Sequence, residues 1–219
     1  EFRKAGIKKV FDKAKIVLFI GRIDPIKGLD TLVTAISILR STPRLKLIII
    51  GGSNNADREE NKELQRIKAL VKKLDISPLV TFLPGQNQEV LTYYYSAADV
   101  LAIPSRYESF GMVALEAMAC GTPIVASNVG GLSFTIPDSK SGFLVPPGNG
   151  ERLAEKLNLL LSNKELTNRF GQNGMAWVKN FQWSKVADQE ILLYNKVIDN
   201  FYTHYGKDRK DTGYCCTSR

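Results

Sequence analysis

Short apolar runs alternate along the chain with longer segments of helical spacing. Each run consists mainly of apolar residues, which is typical of strands buried on both faces of a sheet. The runs lie at Lys15–Ile20, Leu45–Ile50, Val80–Leu83, Val100–Ile103, Pro123–Ser127 and Gly142–Val145. Helical spacing is found at Leu29–Leu39, Arg58–Leu74, Glu89–Ala97 and Phe110–Cys120, and two or three further helices are expected between Glu151 and about Tyr202.

This alternation of strands and helices predicts an α/β fold. It indicates a Rossmann-like, doubly wound parallel sheet of about six strands with helices on both faces. Ligands in such folds bind outside the carboxyl ends of the strands, in the loops that lead into helices. Those loops are Gly21–Gly28, Gly51–Asp57, Leu83–Gln88, Pro104–Phe110 and Asn128–Phe134. We expect one domain over residues 1–205, including a helix near residues 183–202, and a polar, disordered tail over residues 206–219.

Composition limits the partners and the compartment. The net charge of +8 suits an anionic partner, but the basic residues are spread along the chain, so nucleic acid is not expected. Neither a membrane-spanning stretch nor a signal peptide is visible, which argues against stable membrane insertion. The spacing of Cys120, Cys215 and Cys216 indicates no disulfide framework, which favours a reducing cytoplasm. The single histidine, His204, has no other metal-ligand residue type arranged with it in the sequence. The chain lacks an initiator Met, so we expect a piece of a longer protein.

The first loop, GRIDPIKG, places two cations at the binding edge. It follows a strand at Gly21 and precedes a helix, but it has neither the Walker pattern nor a Gly-x-Gly-x-x-Gly fingerprint. Arg22 and Lys27 could together clamp a diphosphate, Arg by its fork and Lys as a point charge. A solvated loop with incidental charges remains the alternative.

The stretch YESFGMVALE, Tyr107 to Glu116, contains two glutamates eight positions apart. Ser109 is a plausible N-cap for a helix that begins near Phe110, whose first amides would suit a phosphate or sugar hydroxyls. Glu116 lies among apolar residues, where a carboxylate needs a donor partner such as a sugar diol. The alternatives are a salt bridge to Lys or Arg for Glu116 and an ordinary surface charge for Glu108. We interpret the run Tyr93–Tyr95 as partial core and helix surface.

These pieces together resemble the C-terminal domain of retaining glycosyltransferases of family 4, which is one half of a GT-B architecture. The resemblance is carried by GRIDPIKG, by AADVLAIPSRYESFGMVALEAMACGTPIVASNVGG and by SGFLVPPGN, and it covers nearly the whole chain. The last predicted helix also looks like the one that crosses back to the N-terminal half in that family.

The resemblance implies a role for each matching position. Arg22, Lys27 and Glu108 correspond to catalytic residues: the two cations stabilise the leaving nucleoside diphosphate, and the glutamate contacts hydroxyls of the donor sugar. Glu116 corresponds to the residue that accepts hydrogen bonds from the ribose diol. The remaining donor-binding positions are Gly21, Leu83 at the start of the base-holding stretch Leu83–Gly85, and the helix start with Phe110, Gly111, Met112 and Val113.

The implied activity is transfer of a hexose, with glucose as the expected sugar, from UDP- or ADP-glucose. The blocks GGLSFTI and SGFLVPPGN look most like the sucrose-phosphate synthase and sucrose synthase branch, which points to fructose or fructose 6-phosphate as acceptor. No Asp-x-Asp motif with a donor-metal role is visible, so neither a metal nor another cofactor is expected. The family's acceptor-binding N-terminal domain is missing, so this chain should bind donor but transfer little alone.

Two other functions remain open from the sequence. The chain could be a nucleotide-sugar binding module without catalysis, or part of a nucleotide-sugar epimerase of the same fold class. A dehydrogenase is disfavoured because the dinucleotide glycine fingerprint is absent.

Overall fold

The structure, a computed structural model, describes residues 14–52 and 58–205, with the backbone alone for residues 58–60, 204 and 205. The expected tail at 206–219, with Cys215 and Cys216, lies outside the described residues, and so does most of the loop Gly51–Asp57. The chain divides into two compact units, Glu1–Val178 and Lys179–Arg219.

A six-stranded parallel sheet forms the centre of the first unit. The strands run in the order β3-β2-β1-β4-β5-β6, and every recorded strand pair is parallel. Their bounds are β1 Lys15–Ile20, β2 Leu45–Ile50, β3 Val80–Leu83, β4 Val100–Ile103, β5 Ile124–Ser127 and β6 Gly142–Val145. The predicted fold class is confirmed, and the predicted strands differ from these only by one residue at the start of β5.

Both faces of the central strands are covered, as the continuous apolar runs predict. On β1, Val17 and Phe19 belong to one apolar cluster, and Ile16 and Leu18, which point to the other face, are equally buried. Helices on the first face contribute Leu32, Leu157 and other residues to the cluster. The helices in chain order are α1 Leu29–Ile38, α2 Arg58–Lys73, α3 Gln88–Ala97, α4 Met112–Ala119, α5 Leu132–Thr135, α6 Gly150–Ser162 and α7 Lys164–Val178.

Helix α4 begins two residues later than the sequence predicts. Its N-cap is Gly111, which has a φ of 87° in the left-handed region, and the expected cap at Ser109 is wrong. Gly111 adopts this conformation without strain because it has no Cβ. The short helix α5 lies in a segment for which the sequence pattern predicts a loop.

The second unit contains a turn of 3₁₀ helix at Lys179–Phe181 and the helix α8, Trp183–Tyr205. The sequence predicts a helix near residues 183–202; its crossing to another domain stays a prediction. Large apolar side chains of α8 are exposed, among them Trp183, Leu192, Tyr194 and Phe201. Within the part of the chain that the structure describes, no helix has both the length and the apolarity to cross a bilayer.

Gly28 brings the loop after β1 directly against the end of β4. It ends a 3₁₀ turn at Pro25–Lys27 with a φ of 66°, and a Cβ at this position would lie 2.1 Å from the carbonyl oxygen of Pro104. The two loops can therefore approach this closely only because residue 28 lacks a side chain.

We expect Gly28→Ala to lower the free energy of unfolding by more than about 2 kcal/mol, because it adds a backbone clash to the strain of a left-handed residue. Gly148→Ala is the matched control: its φ is 72°, but among the described residues no atom lies within 4 Å of the added Cβ. Urea denaturation of both variants measures the difference. Equal losses of stability would contradict the close approach.

Candidate functional site

The candidate site lies where the strand order reverses. Strand β1 pairs with β2 on one side and with β4 on the other, so the helices that follow β1 and β4 diverge and leave a crevice at the carboxyl ends. A cavity of about 250 Å³ opens there. Eight of the ten predicted site residues line it: Gly21, Arg22, Lys27, Glu108, Phe110, Gly111, Met112 and Val113.

Lys27 and Glu108 form an ion pair across this cavity. Lys27 Nζ donates to Glu108 Oε2 at 2.7 Å, and the two side chains are 23% and 14% exposed. Glu108 is therefore not an ordinary surface charge. Asp24 caps the 3₁₀ turn that carries Lys27, because its Oδ1 accepts from the amide of Ile26 at 2.9 Å.

The loop after β5 contacts the backbone of Glu108. The amide of Gly131 donates to the Glu108 carbonyl oxygen at 2.9 Å. A Cβ on Gly130 would lie 2.1 Å from that same oxygen. The paired glycines at 130 and 131 thus let the loop after β5 pack against the loop after β4, a contact that the sequence pattern does not predict.

Arg22 is placed differently from Lys27. Its side chain is 75% exposed, and its nearest recorded acidic partner is Asp24 at 3.9 Å. It lines both the first cavity and a neighbouring one of about 310 Å³. A long, exposed cation at this point can reach an anion in either cavity.

The N-terminus of α4 supplies backbone donors to the same cavity. Met112 and Val113 are its first residues and line the cavity. Amides in the first turn of a helix have no intrahelical acceptor and carry partial positive charge. Together with Lys27 they make this wall of the cavity suited to an anion or to sugar hydroxyls.

Ser105 also lines the cavity, and sequence reasoning did not single it out. Its side chain is buried, and among the described residues its hydroxyl oxygen has no hydrogen-bond partner. A buried hydroxyl without a partner is uncommon in folded proteins.

Glu116 lies outside this cavity, in another of about 360 Å³ that also contains Gln88, Thr92 and Cys120. Its partners are neutral donors. The hydroxyl of Tyr95 donates to Oε2 at 2.7 Å and the side-chain amide of Gln88 donates to Oε1 at 3.3 Å. Burial of Tyr95, and then its hydrogen bond to Glu116, raise the pKa of the phenol above its ordinary value.

Sequence reasoning missed Tyr95 and Gln88 as partners of Glu116. They lie 21 and 28 positions away along the chain. The interpretation of Tyr93–Tyr95 as partial core holds for Tyr95, which is buried, but nothing in the run indicates which ring would face a carboxylate.

Leu83 lines yet another cavity, of about 220 Å³, with Phe82 and Pro84. This cavity shares Gly51 and Gly52 with the one that contains Arg22. The carboxyl ends of β1, β2, β3 and β4 thus border a row of adjoining cavities, which can take an elongated ligand.

A network of ion pairs lies beside the site, centred on Asp30 in the first turn of α1. Arg106 Nη2 donates to Asp30 Oδ2 at 2.9 Å, and Arg66 Nη2 lies 3.4 Å from that same oxygen. Burial by itself would raise the pKa of Asp30, but the hydrogen bonds from Arg106 and from the amide of Thr31 and the charges of both arginines outweigh it, so the pKa is lowered.

The chain is similar to known proteins in family, in sequence and in structure. Residues 2–177 match the family model described as glycosyl transferases group 1. The D-inositol 3-phosphate glycosyltransferase of Mycobacteroides abscessus is 40% identical over 187 residues, which are 85% of this chain and 40% of that protein. The chain therefore spans less than half the length of this curated relative.

Similar solved structures include a sucrose-phosphate synthase and a separate C-terminal domain. The sucrose-phosphate synthase of Thermosynechococcus elongatus has a TM-score of 0.81 and 38% identity, covering 90% of this chain and 49% of that one. The C-terminal domain of a glycosyl transferase group 1 family protein from Francisella tularensis has a TM-score of 0.70 and 26% identity, covering 81% of this chain and 90% of that one.

We expect Tyr95→Phe to lower the free energy of unfolding by about 1–3 kcal/mol, because Glu116 loses a hydrogen bond from a buried hydroxyl. Tyr94→Phe is the matched control, since it removes the same group from a partly exposed ring in the same helix. Urea denaturation followed by circular dichroism measures both variants. Equal effects would show that the bond to Glu116 contributes nothing.

Asp30→Asn should destabilise the chain at neutral pH but less so in acid. A carboxyl whose pKa is lowered by folding contributes stability above its unfolded pKa of about 3.9, and this is lost as the pH falls through the folded value. The difference in unfolding free energy from wild type should therefore shrink below about pH 4. The exposed Asp75→Asn serves for comparison. A difference that persists unchanged to low pH would contradict the ion pairs.

Proposed function

The chain belongs to the glycosyl transferases group 1 family, and on that premise we propose that it is the donor-binding domain of a retaining glycosyltransferase. Its substrate would be a nucleoside diphosphate hexose. The observation that carries the proposal is the cavity at the reversal of strand order, which brings together Lys27, Glu108 and the N-terminus of α4. Similarity to a separately crystallised C-terminal domain of the same family supports the domain assignment.

The charges in the cavity match what departure of a nucleoside diphosphate requires. Cleavage of the sugar–phosphate bond leaves negative charge on the diphosphate. Lys27, Arg22 and the first amides of α4 can stabilise that charge, so we propose transfer without a divalent cation. Glu108 would release Lys27 to the phosphate and accept hydrogen bonds from hydroxyls of the donor sugar.

The remaining parts of the donor are assigned to neighbouring residues. Glu116 would accept from the ribose hydroxyls, while Tyr95 and Gln88 hold the carboxylate in place. Helix α3 joins this region to the row of cavities, because it contributes Leu91 to one and Gln88 to the other. The base would lie near Leu83 and Gly85, at the end of β3.

We propose that the acceptor is a phosphorylated polyhydroxy compound. The relative from Mycobacteroides abscessus is named for inositol 3-phosphate, and the structural neighbour from Thermosynechococcus elongatus is named for sucrose phosphate. The former suggests inositol 3-phosphate itself, and the latter suggests fructose 6-phosphate, with glucose as the transferred hexose. Both proteins are more than twice as long as the matched region, so transfer is proposed for a longer protein, in the cytoplasm, and donor binding alone for this chain.

Calorimetric titration with UDP, ADP and GDP, with and without magnesium, tests the donor site. Wild type should bind one of the three without metal, and Lys27→Ala should weaken binding by about 10- to 100-fold because a charge-assisted bond to phosphate is lost. Lys164→Ala, which removes an exposed lysine at the start of α7, should bind as wild type does.

Transfer is assayed in the longer protein with UDP- or ADP-glucose and either acceptor. There, Lys27→Ala or Arg22→Ala should lower turnover by about 10²- to 10³-fold. Full activity of both variants would overturn the proposed roles. Donor turnover with no acceptor present would instead favour hydrolysis or epimerisation.

A further inference from the structure

The turn that carries Lys27 is bonded to Arg106 at several points. Arg106 Nη1 donates to the carbonyl oxygen of Pro25 at 2.8 Å, and the backbone amide of Arg106 donates to the carbonyl oxygen of Ile26 at 2.8 Å. Its Nη2 donates to Asp30 at 2.9 Å. Pro25 and Ile26 precede Lys27, and Asp30 follows it. Arg106 therefore binds the chain on both sides of the lysine.

Arg106 also belongs to the loop that carries Glu108, two positions further on. It therefore couples the two loops whose side chains meet in the Lys27–Glu108 ion pair. From this loop, Ser105 and Glu108 line the cavity, whereas the guanidinium of Arg106 is directed to Pro25 and Asp30. Arg106 is thus placed to act through the turn that it holds.

Asp30, the acidic partner of Arg106, is itself held by a second arginine. Arg66, in α2, lies 3.4 Å from Asp30 Oδ2. It also donates twice to Glu63, at 2.7 Å and 2.6 Å, and the Glu63 side chain is only 5% exposed. Asp30 therefore connects the Lys27 turn to α2, which packs into the same apolar cluster as α1.

An exposed ion pair usually contributes little to stability, and the Arg106 side chain is 46% exposed. Its bond to the carbonyl oxygen of Pro25, however, adds to the bond from the Arg106 backbone amide to Ile26, and together they restrict where the Lys27 turn can lie. Small displacements of a binding group can cost far more in affinity or rate than in stability.

We propose that Arg106 is a positioning residue that holds Lys27 at the site of the donor diphosphate. The inference rests on the proposed function, since it assumes that Lys27 contacts that diphosphate. Arg106 would act by keeping the Pro25–Lys27 turn in place while the lysine exchanges Glu108 for phosphate.

A double-mutant cycle tests this role. The wild-type chain, Arg106→Met, Lys27→Met and the double variant are titrated with whichever of UDP, ADP and GDP binds wild type most tightly. Arg106→Met alone should weaken binding by about 10-fold, and it should have almost no further effect once Lys27 is replaced. Additive losses would overturn the inference, because they would mean that Arg106 acts independently of Lys27.

The control variants separate positioning from charge and from folding. Arg152→Met removes the same charge from a pair with Glu155 in α6 and should leave binding unchanged. Arg106→Lys keeps the charge but not the forked geometry, so full rescue would overturn the inference. Thermal unfolding checks that each variant is folded. If Arg106→Met does not fold, Asp30→Asn takes its place in the test, because it alters the acceptor of Arg106 and should also weaken nucleotide binding.

The two levels of failure are distinguishable. No binding of any nucleotide to wild type would overturn the proposed donor site and this inference with it. Tight binding to wild type with unchanged affinity in both Arg106→Met and Asp30→Asn would overturn the inference alone.

Discussion

Parallel pairing between β1 and β4 is the contact on which the candidate site depends. Val17 and Leu18 lie beside Val100 and Leu101, and the strand order reverses at this pair. All strands point the same way, so the loops after β1 and β4 emerge side by side at one edge of the sheet. Gly28 then lets the backbones touch, and Lys27 and Glu108 meet across the crevice.

The charged side chains in and beside the candidate site have their partners within the protein. Lys27 is neutralised by Glu108, Asp30 by Arg106 and Arg66, and the carboxylate of Glu116 is held by a phenol and an amide. Each of these groups therefore has an opposite charge or a hydrogen-bond donor in place of the water that it loses on burial. A phosphate group can take the place of Glu108 at Lys27, while Asp30 and Glu116 keep the partners that hold them in position. This exchange is the physical basis of the proposed donor recognition.

Much of the fold could be predicted because buried parallel strands leave a strong local pattern. The runs KIVLFI and LKLIII are β1 and β2 as predicted. Helix boundaries that depend on a single backbone conformation were harder to predict from the sequence. Helix α4 begins at Met112 because Gly111 is left-handed, and Ser109, which is a better cap by residue type, lies outside the helix. For the site, the residue types on the loops after strands were enough to predict eight positions that line one cavity. They did not predict which residues would neighbour Glu116.

The sequence by itself determined which segments are strands, that the sheet is parallel and covered on both faces, and which loops carry cations, carboxylates and glycines. These properties follow from composition and spacing over a few residues. Only the tertiary structure decided that Lys27 pairs with Glu108, that Tyr95 holds Glu116, and that Arg106 grips the turn beside Lys27. Those partners are separated by 81, 21 and 81 residues, and such contacts exist only once the fold has brought distant loops and helices together.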